Sequence, residues 1–233
     1  MLSKDDFHKY LLLVAGGKGT RMGSSVPKQF MTIAGRPLMM HAIDRFVSVV
    51  PGIEVIIVLD PALFDEWHNL CRINSFNIEH HLAAGGNERF NSVRNGINMI
   101  ARHSLVAIHD GVRPFVSGDT ILRCFEEAAT YGNAVPVISP PESVRQADNK
   151  GISHPIDRDT VKLVQTPQVF LSDILMKAYA MPINKSFTDD ATVVESMGEK
   201  IRLVEGNPEN IKITTPSDMI IGEGIYKNFI NSK

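Results

Sequence analysis

Along most of this chain, short apolar runs alternate with longer segments of helical period, and that alternation restricts the possible folds more than any other feature. Residues 10–15, 53–59, 78–82, 105–109 and 134–138 read as strands, with helices predicted over 37–50, 63–73, about 88–100 and 119–131. In Val55-Ile56-Ile57-Val58 apolar β-branched residues follow one another without a polar break, as in strands of a parallel sheet covered on both faces. In the first helix Ile43, Phe46, Val47 and Val50 share one face, while Asp44 and Arg45 take the other. The prediction is an α/β chain built on a Rossmann-like, doubly wound, mostly parallel sheet. Further along, a strand is predicted over 163–170, helices over 171–181 and about 190–197, strands near 201–204 and 211–213, and a last helix after Pro216.

The pattern breaks over 139–160, where Pro140, Pro141 and Pro155 stand among charged residues and exclude a central strand or a core helix. The segment reads as a solvated loop or as a projecting arm, and its length, unusual for structureless chain inside a compact domain, favours the arm. The whole of 1–233 is otherwise read as one domain. At 233 residues the chain can build its own core without disulfides or metal, and its two cysteines, Cys71 and Cys124, exclude a disulfide scaffold and a Cys-based zinc site. A formal charge of −2 with no long basic run excludes the footprint of non-specific nucleic-acid binding. Apolar runs fall far short of the roughly 18 residues that span a bilayer, and Asp5 and Asp6 stand where a signal peptide would be basic and then apolar. The expectation is a cytoplasmic protein with small-molecule partners, bound to neither nucleic acid nor membrane.

Four glycines follow the first strand in Val14-Ala15-Gly16-Gly17-Lys18-Gly19-Thr20-Arg21-Met22-Gly23. Glycines there let successive backbone N–H groups approach an anion, forming a phosphate-cradling nest at the carboxyl edge of the sheet. The dinucleotide fingerprint fails at Met22, and the P-loop pattern fails at Leu12 and Gly19. Arg21 and Lys28, on either side of Pro27, add two cations to the nest, a device suited to a triphosphate. Asp110, at the end of the fourth strand, is placed to hold Mg²⁺ or orient a polyol. Arg113, fixed by Pro114, is a phosphate-binding candidate, and His109 reads as a satisfied structural histidine. The loop Gly85-Gly86-Asn87 offers backbone groups to a base and ribose, with Ser92 pointing back toward the nest.

Several segments in order carry a resemblance: Ala15-Gly16-Gly17 with Arg21-Met22 and Pro27-Lys28-Gln29, Gly85-Gly86-Asn87-Glu88-Arg89, His109-Asp110-Gly111-Val112-Arg113-Pro114, Ile156-Asp157-Arg158, Gln165-Thr166-Pro167-Gln168, Thr188-Asp189-Asp190-Ala191, and Asn210-Ile211-Lys212-Ile213-Thr214. Over about 11–228 the chain resembles the cytidylyltransferases among the sugar-phosphate nucleotidyltransferases, specifically the 2-C-methyl-D-erythritol 4-phosphate cytidylyltransferase family of the non-mevalonate isoprenoid pathway. The resemblance implies a nucleotide-diphospho-sugar transferase fold, CTP and methylerythritol phosphate as substrates, and Mg²⁺ or another divalent cation. It implies Arg21, Lys28 and Lys212 as catalytic cations on the phosphates. Ala15, Gly16, Gly17, Gly19, Gly85, Gly86, Asn87, Ser92, Asp110 and Gly111 would lie around the nucleotide. Asp110, Arg113, Arg158, Thr166 and Thr188 would lie around the methylerythritol phosphate. It further implies a homodimer in which the arm crosses to the partner and the active sites are shared. Two departures stand out: Asn87 where the family usually has aspartate, and Glu142-Ser143-Val144-Arg145 where it commonly has Asp-Thr-x-Lys. The rival readings are a ribitol 5-phosphate cytidylyltransferase, an NAD-dependent oxidoreductase for which only Asp60 could serve the ribose, and a silent nucleotide-binding module.

Overall fold

A computed structural model describes residues 7–15 and 27–230. The chain enters through β1 (His8–Val14), and after Lys28 a two-stranded ribbon, β2 (Thr32–Ile33) and β3 (Arg36–Pro37), leads into α1 (Leu38–Val49). Then come β4 (Glu54–Leu59), α2 (Phe64–Ile73), β5 (His81–Ala84), α3 (Arg89–Ile97), β6 (Ser104–Asp110), α4 (Gly118–Tyr131) and β7 (Asn133–Ile138). A second ribbon, β8 (Val144–Ala147) and β9 (Ser153–Ile156), precedes β10 (Leu163–Val164), β11 (Gln168–Leu171), α5 (Ser172–Tyr179), α6 (Asp190–Glu195), β12 (Leu203–Glu205) and α7 (Pro216–Ile230).

In the main sheet β1 lies between β4 and β6, parallel to both, and β5 extends β4 in parallel. β11 runs antiparallel between β6 and β7, and β12 adds a parallel strand to β7. The sheet is thus mostly parallel, and its strands bury both faces, as the unbroken apolar runs require. Leu11 and Leu13 point into one layer with Ile57, Phe46 and Trp67. Leu12 points into the other with Ile56, Val58, Phe90 and Tyr179. Each such buried side chain contributes roughly 1.5–3 kcal/mol. α4 starts at Ser117, whose hydroxyl accepts the Thr120 N–H, and stops at Gly132, where φ of 87° favours glycine.

Four sequence expectations are corrected. The strand predicted over 78–82 begins at His81, because the segment before it is occupied by the His80 ring. That ring accepts a hydrogen bond from Trp67 Nε1 (2.9 Å) and bonds the Ile78 carbonyl through Nδ1 (2.7 Å). The run 163–170 is two strands, and their register against β7 slips by two residues across the cis Thr166–Pro167 bond. Residues 211–213 form no strand: Ile213 donates one backbone bond to Val112 O (2.9 Å) and otherwise buries its side chain beside Leu38 and Phe115. Within 139–160 the chain is not a structureless loop but carries the β8–β9 ribbon, clasped by Arg145, whose Nε and Nη2 donate to Ser153 Oγ and O at 2.9 and 3.0 Å. The ribbon is largely exposed, with Ile152 at 71%.

Candidate active site

The parallel register sets Val14 opposite Asp110, so the ends of β1 and β6 arrive together at the carboxyl edge. Backbone bonds carry the alignment past the strand ends: Gly111 N to Val14 O (3.0 Å), Ala15 N to Val58 O (2.9 Å) and Gly85 N to Leu59 O (2.8 Å). Ligands of open α/β sheets bind at this edge. Here it borders a cavity of about 460 Å³. Its walls include Ala15, Lys28, Gly85, Gly86, Asn87 and Ser92, with Asp110 and Lys212 across from the glycine loop. Gly86 has no substitute at its position, since a Cβ would come within 2.4 Å of Asn91 Cβ. The Ser92 hydroxyl accepts the Gly86 N–H (2.9 Å) and donates to Glu88 O (3.2 Å), which closes the loop onto the first turn of α3. Lys28 opens a short 3₁₀ turn whose Phe30 stacks on Trp67 (centroids 6.2 Å apart), tying that wall to the core.

Asp110 is the electrostatic centre. Its Oδ2 accepts from Lys212 Nζ (3.0 Å) and Arg113 Nε (3.2 Å). Burial alone would raise this carboxyl, but Lys212, Arg89 and Arg113 outweigh it and hold Asp110 well below the usual carboxylate range. Behind it, the Thr166 hydroxyl accepts the Asp110 N–H (3.1 Å) and stands 3.0 Å from His109 Nδ1. His109 Nε2 faces the Arg113 carbonyl at 2.9 Å, which can only accept. The proton therefore sits on Nε2, and Nδ1 receives the threonine hydroxyl. Burial pushes the His109 pKa down to about 4, keeping the ring neutral. It is the structural histidine expected from the sequence.

Of the predicted residues, Ala15, Lys28, Gly85, Gly86, Asn87, Ser92, Asp110 and Lys212 come together on the cavity wall. Gly111, Arg113 and Thr166 stand behind that wall: Arg113 bonds Asp110 and the Asn210 carbonyl (2.7 Å), and Asn210 Nδ2 donates to Thr166 O (2.7 Å). Arg158 and Thr188 are exposed and line no part of the cavity; Arg158 donates to Pro141 O at the base of the β8–β9 ribbon (3.3 Å). Gly16, Gly17, Gly19 and Arg21 lie outside the described residues. Sequence reasoning missed the wall residues Gln29, Glu88 and Arg89, and gave Asp60 only to a rival reading. Asp60 spends one oxygen on the Ala62 N–H (3.0 Å) at the start of a 3₁₀ turn. The position of Arg89 after the Gly-Gly loop was its only sequence signal.

A mostly parallel α/β sheet with a glycine loop, lysines and a carboxylate at its carboxyl edge defines a phosphate-handling enzyme of the nucleotide-binding α/β class. Residues 10–228 match the family model described as 2-C-methyl-D-erythritol 4-phosphate cytidylyltransferase. A relative of that description from Bacteroides fragilis is 48% identical over 92% of this chain and 97% of its own. One from Bacillus velezensis is 35% identical over 94% and 96%. Among solved structures, the 4-diphosphocytidyl-2C-methyl-D-erythritol synthase of Anaerococcus prevotii is 26% identical, with a TM-score of 0.81 over 96% of this chain and 97% of that one. The chain belongs to the 2-C-methyl-D-erythritol 4-phosphate cytidylyltransferase family and is an enzyme of the nucleotidyltransferase class.

Proposed function

We propose that this chain transfers the cytidylyl group of CTP to the phosphate of 2-C-methyl-D-erythritol 4-phosphate, releasing pyrophosphate, in the non-mevalonate route to isoprenoid precursors. The observation that carries the reading is the cavity in which Lys28 and the Lys212–Asp110 pair face a glycine loop able to admit a nucleotide. The attacking group is the acceptor's own phosphate, largely dianionic at pH 7 with its second pKa near 6, so no protein nucleophile is needed. The obstacle is repulsion between polyanions, and catalysis is positioning with charge neutralisation. Lys28 would stabilise charge on the α-phosphate, and Lys212, with Arg21, would hold the outer phosphates. Asp110, ionised by its cationic neighbours, would orient the acceptor between nucleotide and phosphate-binding groups. The backbone of loop 85–87 and of Ala15 would read the base and ribose.

A divalent cation such as Mg²⁺ fits as a passenger of the triphosphate. Among the described residues no group of three or more His, Cys, Asp or Glu side chains forms a metal site, and Asp110 Oδ2 is already held by Lys212 and Arg113. Asp110, a candidate for such an ion, would offer it only the oxygen not taken by Lys212 and Arg113, and when bound the ion would neutralise phosphate charge. Arg158, which lines no part of its own chain's cavity, supports a homodimer in which the 139–160 arm of one domain completes its partner's site. We place the enzyme in the cytoplasm, where CTP is made; no helix among the described residues is long and apolar enough to cross a membrane. The test is pyrophosphate release from CTP with methylerythritol phosphate and ribitol 5-phosphate offered in turn. Release with the first and not the second is expected. Equal turnover with ATP, or preference for the ribitol phosphate, would overturn the reading.

A further inference from the structure

Arg89 is the cation of the cavity wall that the mechanism above leaves without a task. It begins α3 immediately after the nucleotide loop, and its side chain is one-third exposed toward the cavity. Its Nη1 and Nη2 donate to Oδ1 and Oδ2 of Asp190 at 2.7 and 2.5 Å, a fork-to-fork pair. Asp190 is completely buried at the start of α6 and also accepts the Tyr179 hydroxyl (2.5 Å). A buried ion pair is a weak device for stability, because desolvation offsets most of its attraction, so an apolar pair would serve the fold as well. What the fork supplies is a fixed geometry between two segments 101 residues apart.

Those segments are loop 85–88 and the turn 188–190. The loop is otherwise held by the Gly85 N–H on Leu59 O and, on its own helix, through Ser92. The turn is braced from the sheet side, where Gln168 Nε2 donates to Asp189 Oδ2 (2.8 Å) and Gln168 Oε1 accepts the Ala191 N–H (2.8 Å). Asp189 and Thr192 complete a capping box that also binds the Thr188 N–H to Thr192 Oγ1 (3.0 Å). Arg89 thus joins a nucleotide-facing loop to a turn fixed on β11, while its charge also bears on Asp110.

We propose that Arg89 is a positioning residue of the transfer step: gripped by Asp190, it sets the distance between the nucleotide loop and the 188–190 turn, so that both substrates are aligned once both are bound. The proposal rests on the cytidylyl-transfer reading above. Because the nucleotide loop keeps its own Ser92 and glycine geometry, the pair matters little for CTP alone and much for the ternary complex.

The experiment compares Arg89→Met, Arg89→Lys, Asp190→Asn and the Arg89→Met/Asp190→Asn double variant with wild type, well below their melting temperatures. Misalignment of about an ångström costs up to roughly a hundredfold in rate, so kcat should fall about tenfold to a hundredfold in Arg89→Met. The CTP Kd, titrated without acceptor, should move less than about threefold. Arg89→Lys, which keeps the charge but not the fork, should recover part of kcat. The double variant should be no worse than the poorer single one, as expected for one shared contact. A variant that melts near wild type and keeps kcat within about twofold would overturn the proposal. So would losses that add in the double variant, or that appear only as weakened CTP binding. If Arg89→Met melts below the assay temperature, Arg89→Lys alone decides between these outcomes. Wild type inactive with CTP and methylerythritol phosphate would instead refute the functional reading.

Discussion

Lys28 stands on one turn of 3₁₀ helix braced by the Phe30–Trp67 stack, so removing its ammonium takes a charge from the cavity wall and leaves the core intact. On the proposed mechanism, Lys28→Ala lowers kcat by roughly a hundredfold to a thousandfold, the scale of one preorganised electrostatic contact, with melting unchanged. Steady-state kinetics decide it: a change confined to KM would reduce Lys28 to a binding group. His109 gives a prediction of a different kind. Its pKa is about 4 in the folded chain against 6.5 for an ordinary histidine. Between those values the unfolded chain takes up a proton that the folded chain refuses. The stability it secures is complete above about pH 6.5 and drains away as pH falls to about 4, by on the order of 3 kcal/mol. His41 and His80, also held down by burial, act in the same direction. Urea melts at pH 7 and pH 4.5 should therefore differ, and by less in His109→Asn; an equal difference would remove His109 from the explanation.

Among the elements, α4 shows how far local chemistry reached. Ser117 and Gly132 bound the helix much as the predicted 119–131 anticipates, because a hydroxyl cap and a left-handed terminal glycine act within a few residues. Gly132→Ala should destabilise the protein by about 1–2 kcal/mol, since φ is 87° and a Cβ would meet Ile174 Cδ1 at 2.9 Å. For a chain of this size that is a melting shift of roughly 2–8 °C with kcat unaltered, readable by calorimetry. No shift would mean that the backbone relaxes there. Where elements were misread, the cause was a contact remote in sequence. The Trp67–His80 bond delays β5, the two-residue register slip against β7 divides 163–170, and Ile211 to Ile213 find no neighbouring strand. The β8–β9 ribbon escaped because its exposed residues carry no hydrophobic period to read.

For the whole molecule, the proposed shared site makes a prediction that no single chain can satisfy. Lys28→Ala and Arg158→Ala proteins, each inactive, would on mixing with full subunit exchange form heterodimers in about half the population, each with one intact site. Activity should recover to roughly a quarter of wild type; exchange without recovery would return Arg158 to its bond with Pro141.

What the amino-acid sequence determined alone was whatever depends on near neighbours. The βα alternation, the strand-to-glycine transition that marks the binding edge, Asp110 at a strand end and Lys28 beside Pro27 are all set within a dozen residues. The ordered motifs carried the family with them. Only the tertiary structure decided that Asp110 is gripped by Lys212 and Arg113, that the Arg113 carbonyl settles the His109 tautomer, and that Arg89 is locked to Asp190. Of these the Lys212 and Asp190 contacts span about a hundred residues, and spacing along a chain carries no information about which charges will meet once the sheet has brought its strand ends together.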